Sequence, residues 1–538
     1  GRGLQGQGSW PRAQRASTTD SPPVSERSER SERSELGGGP GDRASQGSRR
    51  AAPTAGLWAL RAAPTRLRCA NFRTRKDLKF SVRNAPKALI RMNTRTLIRG
   101  ATVITMDAQG VLPRADIMVT GDRLTEIAPN IQADDTEIVD ATGCIVIPGL
   151  VNAHMHTWQT ALRGVAANWT LPEYFRKMHA GLATVFEPAD LHIATLAGAL
   201  NQLNCGTTTL VDWCHNNRTP EHNDAAVAAL LESGIRAAFF HGTPKPDPKQ
   251  GETPFWEVPH PRAEVERLLA AHQGRELLSI HAAVLGPHYS TLEVARHDFR
   301  MAAELDLIAS LHQGGGPART PGGWQVLDAE GLLGERVNIV HGHALDDAQL
   351  ARFCDLGMSF SAAAESEMSQ GHGHPLTGRL RRLGRAPSLG VDLESVMSGD
   401  MLTQARIALG MQRSLDNVAH REAEGGIPPT TTIPATEALS WVTVEGARML
   451  RQLHRIGTLA AGKQADLVLI RADTLDMQPL HDPVAAVVFQ ASPSHVDAVM
   501  VAGRWKKRGG RLLGVDLPPL IERLNASGRK IVGALGLQ

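Results

Sequence analysis

One rhythm dominates the long middle of this chain: short apolar runs alternate with stretches of helical period. Eight such runs occur: CIVIPGLVNAHMH (144–156), TTTLVDW (207–213), IRAAFFHG (235–242), LLSIHAAVLGPH (277–288), LIASLHQG (307–314), VNIVHGH (337–343), GMSFSAA (357–363) and APSLGVD (386–392). Helix-like segments separate them, among them 189–204, 222–234 and 291–306. Strands that are apolar along their whole length are buried on both faces, and strands joined through helices run parallel. Eight repeats of that unit predict an α/β fold of the (β/α)8 kind, a TIM-like barrel. An open doubly wound sheet is the alternative. It is weaker because no G-x-G-x-x-G follows the first strand.

Both flanks of this middle differ from it. Residues 96–129 and 456–514 read as short β-runs broken by Gly and Asp turns. The stretch LPPLIERLNASGRKIVGAL (517–535) has the pattern of an amphipathic helix with Pro near its start, suited to docking on the barrel or on a partner subunit. Residues 1–91 are different again: SERSERSERSEL (25–36) is a three-residue repeat, and a Gly-, Ser- and Arg-rich stretch follows. The composition predicts a disordered leader outside the fold. Its arginines resemble those of organelle transit peptides, but the first methionine is Met92, and upstream sequence is the plainer reading.

The net charge of +3 conceals an acidic body. Residues 1–91 carry 19 basic and 7 acidic side chains, and the rest carries 39 and 48. No basic stripe marks the body, so nucleic acid is not an expected partner. Five scattered cysteines without a C-x-x-C suit a reducing compartment. No apolar stretch approaches the roughly 18–20 residues of a membrane span. The expectation is a cytoplasmic, soluble protein with no membrane partner.

In barrels of this type, catalytic groups stand at the C-terminal ends of the strands. Polar residues gather there: His154, His156, Asp212, His215, His241, His288, His312, His341, His343 and Asp392. Strand side chains alternate, so His154 and His156 project together while Met155 points away. Two such imidazoles form half of a metal clamp, or else a hydrogen-bonded structural pair. His312 ends the fifth run and Asp392 the eighth. Together the four make an N3O shell with room for water, and His341, ending the sixth run, is within reach of that water or of a substrate.

PGLVNAHMH (148–156) resembles the first-strand motif of the amidohydrolase superfamily, and IGTLAAGKQADLVLI (456–470) resembles its returning small-domain strands. LRG (162–164), GTTTLVD (206–212), LGPHYS (285–290), VHGHAL (340–345) and LGVD (389–392) are similar to the branch that holds triazine hydrolases, guanine deaminase and adenosine-analogue deaminases. The likeness spans about residues 94–515. It implies a small β-sandwich from residues 92–147 and 455–515, a barrel over 148–454 and a terminal helix over 516–538. It also implies one divalent ion, Zn2+ or Fe2+, on His154, His156, His312 and Asp392. His341 would assist the water, and Asp392 would carry its proton to the leaving group. A bound dication lowers the pKa of water toward ~7, which makes a nucleophile available at neutral pH. The substrate would be a small molecule and the assembly a homo-oligomer, a dimer or tetramer.

One departure bears on the reaction. Deaminases of this branch carry Glu three residues after the fifth-strand histidine, and here LHQGGG puts Gly315 there. A general acid contributes about 10²–10⁴-fold. Its absence points to a substrate needing no ring protonation (an amide, urea, carbamate or lactam) or to a relocated acid among His288, His343, His215 and Glu365. Hydrolysis of a C–N bond ranks first, and heterocycle deamination second. Triazine-type dehalogenation and a non-catalytic scaffold are the remaining alternatives. His288, His215, Trp158, Gln159, His343 and Glu365 are the expected substrate contacts, with Trp213 a further wall candidate. ESEMSQGHGHP (365–375) reads as a solvated loop rather than as a second metal site at His372 and His374, and Cys205 and Cys214 as buried filler.

Overall fold

The computed structural model describes residues 95–536, so the expected leader lies outside the described residues. Eight parallel strands succeed one another: Leu150–Met155, Thr207–Cys214, Arg236–His241, Leu278–Ala283, Ala309–Gln313, Val337–His341, Ser359–Ala362 and Ser388–Leu389. Each pairs with the next in sequence order. The second and third are buried at every residue, as their unbroken apolar pattern requires. The eighth returns to the first. Met155 bridges Asp392, the His156 amide donates to the Asp392 carbonyl at 2.9 Å, and the Asp392 amide donates to the His154 carbonyl at 2.9 Å. This seam closes the barrel.

Helices cover the outside. Pro188–Asn204, Pro220–Ser233 and Leu292–Glu304 fall where the helical period predicts them. The first two open on proline, whose missing N–H costs nothing in the first turn.

Two expected boundaries move. The run 144–156 is two strands, Cys144–Pro148 in a second sheet and Leu150–Met155 in the barrel. Gly149 is the break. A Cβ there would lie 2.0 Å from Thr208 Oγ1, so only glycine lets the chain cross between the sheets. The fourth strand stops at Ala283, and His288 stands instead on the short helix Gly286–Tyr289.

The second sheet has nine strands and is mixed. It takes Arg95–Ile104, Val111–Thr120, Arg123–Ala128, Glu137–Asp140 and Cys144–Pro148 from before the barrel, and Leu467–Arg471, Val496–Val501, Arg504–Arg508 and Arg511–Leu512 from after it. Ile98, Val103, Ile117, Val119, Leu467, Leu469 and Met500 share one apolar core, so the sheet folds its two halves over common side chains. Asp466 ties this sheet to the barrel. Its carboxylate takes a two-pronged ion pair from buried Arg236, at 3.0 Å on each oxygen, and accepts the Ala502 amide at 2.7 Å. Arg236 opens the third strand, so the tie lies at the end opposite the strand exits.

The terminal helix, Leu517–Ala534, docks on the barrel. Ser527 donates to Asp190 at 2.8 Å, Lys530 pairs with the same carboxylate at 2.8 Å, and Ile531 is fully buried. A Cβ on Gly528 would lie 2.6 Å from the Ala161 carbonyl, so this helix presses against the turn that follows His156. No described helix is long and apolar enough to cross a membrane. Cys144, Cys205, Cys214 and Cys354 are free thiols.

Candidate active site

Closing the barrel brings residues from both ends of its sequence together. His154 Nε2 lies 3.2 Å and His156 Nε2 3.4 Å from Asp392 Oδ1. His312 Nε2 lies 3.2 Å from His154 Nε2. His154, His312, His341 and Asp392 each offer one donor atom within 4.8 Å of the others, and among the described residues this is the cluster suited to a metal ion. A tetrahedral shell with bonds of about 2.0–2.1 Å has edges of about 3.3–3.4 Å. The His154–Asp392, His156–Asp392 and His312–His154 spacings match such edges, while the cluster of four mutually close donors has His341 where the sequence pointed to His156.

The surroundings set the donor state of each ring. His156 Nδ1 faces the Trp213 carbonyl at 2.5 Å, which places the proton on Nδ1 and leaves the Nε2 lone pair toward Asp392. Burial, with His154 beside it, pushes His156 down to about 3. Burial likewise lowers His154. His312 falls well below its ordinary value through burial and the nearby Lys245. Neutral imidazoles present lone pairs, the form that binds a cation. Burial opposes the ionisation of Asp392. The hydrogen bond with His154 and the neighbouring histidines outweigh it and hold the carboxyl below the usual carboxylate range. Ser366 donates to its other oxygen at 2.7 Å.

His341 is held differently. Its Nδ1 lies 3.0 Å from Glu367 Oε1, and Glu367 also accepts the Ala363 amide at 2.9 Å. Burial opposes protonation of His341, but the Glu367 bond and the Asp392 charge raise it. His341 and Asp392 both adopt left-handed backbone, with φ of 66° and 67°. That conformation costs a non-glycine residue roughly 1–2 kcal/mol. Among the site's histidines and carboxylate, these two are the ones whose side chains must turn in from strands six and eight.

The amidohydrolase family profile matches residues 145–506, from the strand before the barrel to the strands after it. The chain belongs to the amidohydrolase family. It is 30% identical to an 8-oxoguanine deaminase of Pseudomonas aeruginosa over 82% of this chain and 99% of that one. An adenosine deaminase of Xanthomonas campestris with bound zinc superposes with a TM-score of 0.72 at 23% identity, covering 82% of this chain and 99% of that one. A mutant atrazine chlorohydrolase of Arthrobacter aurescens complexed with zinc and atraton gives a TM-score of 0.69 at 23% identity, covering 80% and 100%. As an amidohydrolase the chain is a metal-dependent hydrolase acting on carbon–nitrogen bonds, and its buried His/Asp cluster has the donor chemistry to hold a divalent ion.

This amidohydrolase gathers some of the expected contacts and sets others aside. His215 lines the cavity and stacks on His156, with ring centres 4.0 Å apart. Trp158 does not reach the cavity. It is fully buried behind His215 and donates to its Nδ1 at 3.1 Å. Gln159 also stands behind the wall, bonded to Tyr174 and to Ser395. Glu365 turns toward the helix Met401–Glu424 and accepts from Gln404 at 2.8 Å. His288 packs under the Gly314–Gly315 backbone and contacts Gln313 at 3.2 Å. His343 borders the same stretch: a Cβ on Gly315 would come 3.4 Å from its Nε2. Asp212 accepts the Thr157 amide at 3.2 Å, and His241 bonds His260 at 2.9 Å, so both have structural partners.

Other residues take the vacated positions. Leu171, Tyr174, Phe175 and His179 enter the cavity from the segment after the first strand, and Tyr289, Gln370 and His372 from later segments. The stretch read as a loop after strand seven begins with the helix Ala364–Gln370, which carries Ser366 and Glu367 inward. His372 lies against His341, with ring centres 4.6 Å apart. Lys245 also lines the cavity. It is 8% exposed, its Nζ lies 5.5 Å from the ring centres of both Trp213 and Tyr289, and burial pushes it down to about 8. Its sequence context, GTPKPDPKQG, reads as a polar loop and gives no warning of this burial.

Proposed function

We propose that this amidohydrolase hydrolyses a C–N bond of a small polar compound. In this reading His154, His156, His312 and Asp392 hold one ion, and His341 acts beside it. The observation that carries the reading is the convergence at the barrel seam of three imidazoles and one carboxylate with spacings of 3.2–3.4 Å. When bound, the ion supplies Lewis-acid activation of water near neutral pH. Asp392, at the edge of the donor shell, would take the proton of the attacking water and deliver it to the departing nitrogen. Glu367 fixes the proton of His341 on Nδ1 and leaves Nε2 for the substrate side. Zinc or iron suits the donor set, and the zinc in structural neighbours supports zinc.

Gly315 bears on the substrate. With no carboxylate there, amides, ureas, carbamates and lactams suit the site, since none needs a protonated ring nitrogen. Deamination of an amino-heterocycle is the second reading, favoured by the 8-oxoguanine deaminase relative. His343, beside the position a Glu side chain would fill, is then the relocated donor.

Metal removal tests the proposal. Chelator-stripped protein loses hydrolysis, and reloading with Zn2+ or Fe2+ restores it at one ion per chain. Release of ammonia, amine or chloride across a panel of amides, ureas, aminopurines and chlorotriazines separates the readings. Folded protein that takes up no ion, or whose activity ignores it, overturns the assignment and leaves a scaffold.

A further inference from the structure

We propose that Lys245 forms an anion-recognition subsite, and that the substrate is a small planar compound carrying a carboxylate or an equivalent anionic oxygen. The inference rests on the hydrolase reading for the reaction, and on Lys245 alone for the charge. A lysine is almost never this buried without a carboxylate partner. Lys245 has none: burial and the more distant charge of Asp392 are the influences on it, and no ion pair or hydrogen bond to a described residue engages its Nζ. Asp392 is the one carboxylate among the cavity-lining residues, and it is committed to His154, His156 and Ser366.

The aromatic flanks explain how the ammonium is tolerated. Trp213 and Tyr289 each present a ring to Nζ at 5.5 Å, and the negative ring faces offset part of the lost hydration. They leave the hydrogen-bonding capacity of the ammonium unspent, because a ring face accepts little from an N–H. Lys245 lines the cavity, a small space of about 30 Å³ that opens to solvent. It is the one lysine or arginine among the cavity-lining residues. Tyr174, Phe175, Tyr289 and the histidine rings supply flat walls, which suit a planar body between the ammonium and the metal shell.

Benzoate and nitrobenzene test this directly, because they share shape and differ in charge, and neither has a hydrolysable bond. Binding is measured by titration calorimetry on zinc-loaded protein at matched metal content. Wild type prefers benzoate by about 10- to 100-fold, the range of one hydrogen bond to a buried charge. Lys245→Met brings the two probes to within about 2-fold, and Lys245→Arg keeps most of the preference. Thermal melts confirm that each variant is folded. A preference that survives in Lys245→Met assigns the anion to the metal and overturns the proposal. So does a wild type that binds benzoate no better than nitrobenzene, or not at all at 20 mM. Failure of the hydrolase reading looks different: no turnover of any panel compound, with the benzoate preference intact.

Discussion

The floor of the cavity and its outer wall follow different rules. The floor is made of strand ends. His154, His156, His312, His341 and Asp392 stand on or directly after strands whose backbones are locked to their neighbours, and the seam between first and eighth strand sets the spacing of two histidines and the carboxylate. The wall is made of connecting segments. Tyr174, His179, Lys245, Tyr289, Gln370 and His372 come from four separate stretches between barrel strands. Rigid floor and adaptable wall divide the work: strand ends fix the reaction, and loops choose what is admitted.

The comparison predicts that substitutions in the floor abolish turnover, while those in the wall change selectivity or local packing. The largest effect belongs to Asp392→Asn, which under the proposed mechanism removes a metal donor and a proton acceptor together. A loss of at least about 10³-fold in kcat/KM is expected, with reduced metal content by elemental analysis. Near-normal turnover in a metal-loaded Asp392→Asn protein breaks the division at its centre.

Glu367→Gln lies one layer out. It keeps the shape of the side chain but removes the charge that orients His341, and partners of this kind are worth about 10- to 100-fold. The expected signature is a lower kcat with little change in KM, and a His341 imidazole whose NMR titration moves downward. An unchanged titration separates Glu367 from His341 and removes the helix Ala364–Gln370 from the floor.

The smallest effects sharpen the boundary between two adjacent glycines. A Cβ on Gly314 would sit 2.2 Å from the Tyr289 hydroxyl, whereas on Gly315 its nearest neighbour is His343 Nε2 at 3.4 Å. Gly314→Ala displaces a cavity wall and lowers stability by about 1–3 kcal/mol. Gly315→Ala stays within about 0.5 kcal/mol of wild type. Urea denaturation of the two variants reads the difference. Equal costs would mean that Tyr289 yields freely and that this part of the wall is not a fixed surface.

Much of the floor was legible in the chain because alternation and strand order are local properties. His154 and His156 share a face whatever surrounds them, since a strand repeats every two residues. Eight apolar runs in series place their ends on one rim once the barrel is recognised. The wall lacked such a rule. Glu365 is the contact expected from the sequence and nothing there singles out Glu367, but on a helix two positions are turned by roughly 200°, so Glu365 faces Gln404 and Glu367 faces His341. Trp158 and Gln159 follow the histidine pair directly, but the chain has left the strand there for the tight helical turn Thr157–Leu162, which carries them behind the cavity.

The sequence by itself determined the repeat of strand and helix, the histidine pair and the order in which the donors arrive, because period and spacing follow from the geometry of the backbone. Only the tertiary structure decided that residues 154 and 392 are neighbours, that Glu367 rather than Glu365 serves His341, and that a lysine in a proline-rich loop is buried between two aromatic rings. Those outcomes depend on which surfaces meet when the barrel closes. Contacts between distant segments are set by the packing of the whole fold and leave no periodic trace in the chain.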